Sequence, residues 1–97
     1  MIAARTDVRL RDRELDPVWC EIVELRERYA GRSAQRRRRF DLWRSHAYWG
    51  DSIRDLAFDA GVEARWVRRL VRRVAAELRA LHGPPFGHPV EKYLGYD

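Results

Sequence analysis

The sequence predicts an all-α fold, a small helical domain of four to five helices, and three observations carry that prediction. Apolar residues recur three and four positions apart along most of the chain, the spacing of one helix face. Asp-Pro, Ser and Gly punctuate these periodic stretches where helices start and stop. The 97 residues supply one hydrophobic core and leave no room for a second.

Residues 1–15 alternate Arg with acid and hold few apolar positions, so they read as a mobile N-terminal arm. Asp16 and Pro17 then make a helix start, Asp16 as N-cap and Pro17 at the first helical position, and Gly31 is placed to end the helix. Over 17–30, Val18, Ile22, Leu25 and Tyr29 form one stripe, widened by Trp19 and Val23. Glu21, Glu24, Glu27 and Arg28 cover the other side, toward which Cys20 also lies as an unreactive thiol.

Ser33 opens a second helix over 34–49, closed by Gly50. It begins with the run Arg36–Arg39. Four consecutive side chains sweep about 300° around a helix axis, so they cannot all meet one partner. Arg36 and Arg39 fall beside the stripe of Phe40, Trp43 and Ala47. Arg37 and Arg44 share the solvent side with Asp41 and Tyr48, either as a salt-bridged face or as phosphate contacts.

Ser52 with Asp55 three positions on resembles a capping box and starts a third helix over 53–60. Gly61 turns the chain, and a fourth helix runs from Glu63 to Leu81 until His82-Gly83-Pro84-Pro85 stops it. The helical domain therefore spans 16–82. A Pro- and Gly-rich tail over 83–97 allows one helical turn at 89–94. Its Phe86, Val90, Tyr93, Leu94 and Tyr96 suit packing on the domain or on a partner.

Charge is concentrated in two blocks. The chain has a net charge of +5 and a single Lys, Lys92, so nearly every cation is Arg. Residues 32–50 carry six Arg against Asp41, and residues 62–82 carry six Arg against Glu63 and Glu77. The planar guanidinium fork suits phosphates and guanine edges, although an Arg bias also follows from a GC-rich genome.

Other chemistry is absent from the pattern. The single Cys excludes an intramolecular disulfide, and no apolar stretch has the roughly 20 residues a bilayer span needs. Asp7 interrupts what a signal peptide would keep apolar, so the expected location is cytoplasmic. His46, His82, His88 and Cys20 lack metal-ligand spacing, no glycine-rich phosphate loop is present, and the carboxylates of the first helix have no reason to be buried. No metal, cofactor, small-molecule ligand, membrane partner or enzymatic activity is expected.

Residues 52–72 read SIRDLAFDAGVEARWVRRLVR. Ile53, Leu56, Ala57 and Ala60 line one side of a short helix, Gly61 makes the turn, and Val62, Val67 and Leu70 answer from the next helix. Ala57 must be small where the second helix crosses, Gly61 supplies a positive φ, and Val62 plugs the angle. On Leu56, Ala57, Ala60, Gly61, Val62, Val67 and Leu70 the chain resembles the helix-turn-helix family of DNA-binding proteins in its three-helix form. The three helices would be 34–49, 53–60 and 63–81. Small size and Arg-rich composition also resemble regulators of actinobacteria, their phages or plasmids.

The face opposite that core is where function is expected. Around the fourth helix, Val67, Leu70, Val71, Val74, Leu78 and Leu81 share one side, and Arg65, Arg68, Arg69, Arg72, Arg73 and Arg79 share the other. An ordinary solvated helix would interleave acids at i±4, so this self-repulsion favours a polyanion as the missing half of the surface. The resemblance implies base contacts in the major groove by Glu63, Arg65, Arg68 and Arg69. It implies phosphate contacts by Arg72, Arg73, Arg79, Ser52 and Arg54, joined by Arg37 and Arg44.

The expected function is sequence-specific binding of double-stranded DNA by a small transcriptional regulator. A helical module targeting a host protein, an excision or packaging factor with the same motif, and RNA binding are the alternatives. Trp66 borders the apolar face and Phe58 lies on the normally exposed side of its helix, so both either pack under the first helix or tail, or join a dimer interface. Trp19, Phe58, Trp66 and Tyr93 together are the expected surface for a homodimer.

Overall fold

The computed structural model describes residues 16–83 and 87–95. The arm expected over 1–15 lies outside the described residues, as do Phe86 and Tyr96 of the tail. Five helices follow in order: α1 (Pro17–Ala30), α2 (Ala34–Ala47), α3 (Ile53–Ala60), α4 (Ala64–His82) and α5 (Glu91–Leu94), with no strand among the described residues.

Local signals set most of these boundaries. Asp16 caps α1 by accepting from the Val18 amide at 2.9 Å, Ser33 caps α2 through the Arg36 amide at 3.2 Å, and Ser52 caps α3 through the Asp55 amide at 3.0 Å. Each satisfies one of the orphan donors of a first helical turn. The second helix stops at Ala47, short of the expected Trp49. The Tyr48 and Trp49 amides both reach the Arg44 carbonyl, at 2.9 and 3.1 Å, and their rings swing back toward Trp19.

α1 and α2 run antiparallel, since Asp16 accepts from the Tyr48 hydroxyl at 2.9 Å while Arg26 meets Asp41 near the middle of both helices. Ile22 and Leu25 of α1, Phe40 and Trp43 of α2, and Val67, Val74 and Leu78 of α4 are buried in one core. α4 is its axis, packing against every other helix.

One side of α2 departs from expectation. Asp41, Arg44 and Tyr48 lie against α1 and are only partly exposed. Arg26 pairs with Asp41 through two hydrogen bonds of 2.9 and 3.2 Å, Arg44 donates to Asp41 at 3.1 Å, and the Arg44 guanidinium sits over the Trp19 ring. The physical reason is α1 itself, which covers a surface that a bare three-helix unit leaves wet.

The tail folds back onto its own domain. Val90 and Leu94 are fully buried, and the Arg79 guanidinium donates to the Leu94 carbonyl at 2.6 Å. Glu91, nearly buried, pairs with His82 at 3.0 Å and accepts from the Gly87 amide at 3.1 Å. Gly95 ends α5 at φ 85, in the left-handed region that favours glycine, and a Cβ there would stand 3.0 Å from the Arg79 guanidinium.

Candidate nucleic-acid interface

The turn between α3 and α4 positions the candidate surface. Gly61 adopts φ 69 in the left-handed region, its amide reaches the Phe58 carbonyl at 3.2 Å, and the Val62 amide reaches the Ala57 carbonyl at 3.0 Å. That pair of bonds closes α3 as a Schellman motif. Three residues, Gly61, Val62 and Glu63, then separate α3 from α4.

Of the residues expected to hold the motif together, Ala57, Val67 and Leu70 are buried and Leu56 packs against the core from its edge. Ala60 does not line the inner side of α3, and Val62 does not fill the angle between the helices. Ala60 is exposed beside a crevice with Arg38, Leu42 and Ser45 of α2. Val62 is 39% exposed, because the Schellman bonds fix its backbone while its side chain borders an open groove.

The arginine face of α4 is present over its first ten residues. Arg68, Arg69, Arg72 and Arg73 are exposed and make no side-chain hydrogen bond or ion pair with another described residue. Arg65, Arg68, Arg69 and Arg72 line one open groove of about 260 Å³. The acid that would offset them is turned away: Glu77 lies on the far side of α4, accepting from the Tyr29 hydroxyl at 2.8 Å. Burial and that bond raise the Tyr29 phenol above its ordinary value.

Glu63 stands just before α4 as its N-cap residue, not within its first turn, and makes no side-chain cap. Its carboxylate pairs with Arg65 Nε at 2.7 Å, both side chains being largely exposed. Exposed pairs of this kind contribute little and exchange easily for another anion.

Three arginines expected at phosphates are engaged elsewhere. Arg79 is held by the Leu94 carbonyl. Arg37 donates from Nε and Nη2 to the Gly31 carbonyl at 3.1 and 2.8 Å, closing the end of α1. Arg44 lies between Asp41 and Trp19, its Nε buried without a hydrogen-bond partner. Burial lowers its affinity for the proton, and Asp41 opposes that shift. Arg54 and Ser52 are exposed, and the Ser52 hydroxyl oxygen accepts the capping bond while its own proton is left to donate.

Arg39 is the residue that sequence reasoning missed. It lines a second groove of about 170 Å³ with Trp66, Arg69, Leu70 and Arg73, so α2 adds a cation beside the α4 stripe. Its place next to the Phe40 and Trp43 stripe was the available signal, since that stripe is what packs on α4.

The four aromatic residues expected at a dimer interface separate into two pairs. Trp19 and Tyr93 pack inside the domain, Trp19 on Tyr48 and Trp49 with centroids 5.7 and 5.5 Å away, and Tyr93 on Tyr48 at 5.3 Å. Phe58 and Trp66 stay at the surface, 85% and 48% exposed, so neither packs under α1 or the described part of the tail. The reason is geometric: α1 and α5 cover the α2 side of α4, away from the turn.

No described helix is long and apolar enough to cross a membrane. No family model, curated protein or solved structure matches the chain.

Proposed function

We propose that this chain is a sequence-specific, double-stranded DNA-binding protein that acts as a small transcriptional regulator. The observation that carries the reading is the row Arg68, Arg69, Arg72 and Arg73, exposed, without a side-chain hydrogen bond or ion pair to another described residue, and continuous with Arg65 at the turn-facing end of α4. Four adjacent cations without interleaved acids repel one another, and a phosphate backbone relieves that repulsion.

Under this reading the α3–turn–α4 unit is a helix-turn-helix of the family that residues 52–72 resemble, and the first turns of α4 enter the major groove. Arg65, Arg68 and Arg69 contact base edges. Glu63 either accepts from a cytosine amine or keeps Arg65 in position. Arg72, Arg73, Arg39 and Arg54 meet phosphates, replacing Arg37, Arg44 and Arg79 in that role.

The one specific observation for a second reading, docking to a partner protein, is Phe58 at 85% exposure on α3. The same side chain, the more exposed of the two aromatic residues left at the surface, is a candidate for self-association. A second copy paired through Phe58 would place two reading helices on half-sites about 34 Å apart. Electrophoretic mobility shift over a pool of random duplexes at low salt separates the readings. Enrichment of a sequence motif supports the DNA reading, and no shift of any duplex overturns it.

A further inference from the structure

The reading end of α4 carries an apolar surface that arginine chemistry does not explain. Trp66, the third residue of the helix, is 48% exposed, and Val62 on the turn is 39% exposed. Both line an open groove of about 630 Å³ with Gly61, Glu63, Arg65 and Arg69. The two apolar side chains lie among cations that flank Trp66 on both sides, since Arg39 and Arg73 line the neighbouring groove that shares Trp66 and Arg69.

A patch of this kind fits a ligand that is anionic at its edges and apolar at one point. An acidic peptide meets the first condition, and the second only with an apolar side chain of its own. The DNA major groove meets both without folding or ordering, because each thymine presents a C5-methyl between two phosphate backbones, and that methyl is the apolar group the groove offers. We propose that Trp66, with Val62 beside it, is a thymine-methyl contact that makes the chain select thymine next to the bases read by Arg65 and Arg69. This rests on the reading that α4 enters the major groove of DNA.

Two consequences follow from the chemistry. Uracil presents the same hydrogen-bonding edge as thymine and lacks only the methyl, so the contact distinguishes the two pyrimidines where arginine forks cannot. Cytosine methylated at C5 carries the same group at the same place in the groove and would gain part of the affinity that thymine has.

The test compares alternating dA·dT duplex with alternating dA·dU duplex of equal length, titrated into the wild-type chain, Trp66→Ala and Trp66→Phe. The expected result is weaker wild-type binding to the uracil duplex by about fourfold per contacted methyl, the factor that burial of one CH2-sized group carries. Trp66→Ala removes the difference and Trp66→Phe restores part of it, whereas an effect of uracil on duplex shape would persist in all three proteins. Trp66 is a surface residue, and a matching melting temperature confirms that the variants are folded. Equal wild-type affinity for both duplexes overturns the methyl contact and leaves the DNA reading intact. A difference that survives in Trp66→Ala also overturns it, and binding to neither duplex overturns the methyl contact, together with the DNA reading where no duplex of the random pool is shifted at low salt.

Discussion

Arg79 donates a 2.6 Å hydrogen bond from its guanidinium to the carbonyl of Leu94, and this contact divides the arginines of α4 into two groups. Arg79 lies on the same helical face as Arg65, Arg68, Arg72 and Arg73, yet it closes the end of α5 while they face solvent. Arg79→Ala is expected to loosen the tail, seen as faster amide exchange over residues 90–95 and a lower melting temperature. The salt dependence of DNA binding should not change. Arg72→Ala should do the reverse, making the slope of log K against log salt shallower by about 0.9 at unchanged stability.

Arg39 and Arg44 exchange the roles that their helical positions suggest. Arg44→Met removes a half-buried guanidinium whose Nε has no hydrogen-bond partner and leaves Asp41 still bonded to Arg26. Denaturant titration is expected to find a stability change of less than about 1 kcal/mol, because an apolar side chain of similar size replaces a charge that burial disfavours. DNA affinity should be unaltered. Arg39→Ala is expected to weaken binding to all duplexes alike, and a preserved affinity would remove Arg39 from the interface.

The Trp19, Tyr48, Trp49 and Tyr93 cluster is intramolecular. Trp19→Ala is therefore expected to destabilise the monomer, by about 2–4 kcal/mol given that Trp19 is only partly buried. Sedimentation should show no change of oligomeric state. Phe58→Ser should leave the melting temperature within a degree or two, since its side chain touches little of the fold, and should abolish any self-association on DNA.

Much of the helix layout was legible because its signals are local. Asp16-Pro17, Ser33, Ser52 and Gly61 each act within a turn of their own position, and each does in the structure what its chemistry suggests. The inward stripes of α1 and α4 were equally legible, being periodicities of a single helix. Periodicity does not say which neighbour covers a face, and this is why Arg44 and Tyr48 were misplaced: both sit on a polar side of α2 that α1 happens to cover. Arg79 was misplaced for the same reason, since its partner is a carbonyl 15 positions away. Ala60 and Val62 differ for another reason: apolar spacing puts Ala60 on the inner side of its helix and Val62 in the angle, and the structure leaves both exposed around the Schellman turn. Arg39 enters the candidate site from a second helix, a juxtaposition that only packing creates.

Tyr29 gives a pH dependence of stability with a definite sign. Its phenol is raised above the ordinary value of 10.0, first by burial and then by its bond to Glu77. The folded state therefore holds the proton more tightly than the unfolded chain. The stabilisation is complete below pH 10 and is lost as pH rises through the folded value. Unfolding followed between pH 8 and pH 12 should show Tyr29→Phe losing less stability across the alkaline range than the wild type. Identical alkaline profiles would place the loss elsewhere.

The most direct test of the α4 surface is a salt titration of duplex DNA binding by the wild type and by a variant carrying Arg68→Ala and Arg72→Ala. Each phosphate contact contributes about −0.9 to the slope of log K against log salt. The expected result is a steep wild-type slope that becomes distinctly shallower in the variant, with the melting temperature unchanged because both side chains are exposed and bond to no other described residue. Equal slopes in the two proteins, or no wild-type binding to any duplex at low salt, would contradict a DNA-binding role for this face.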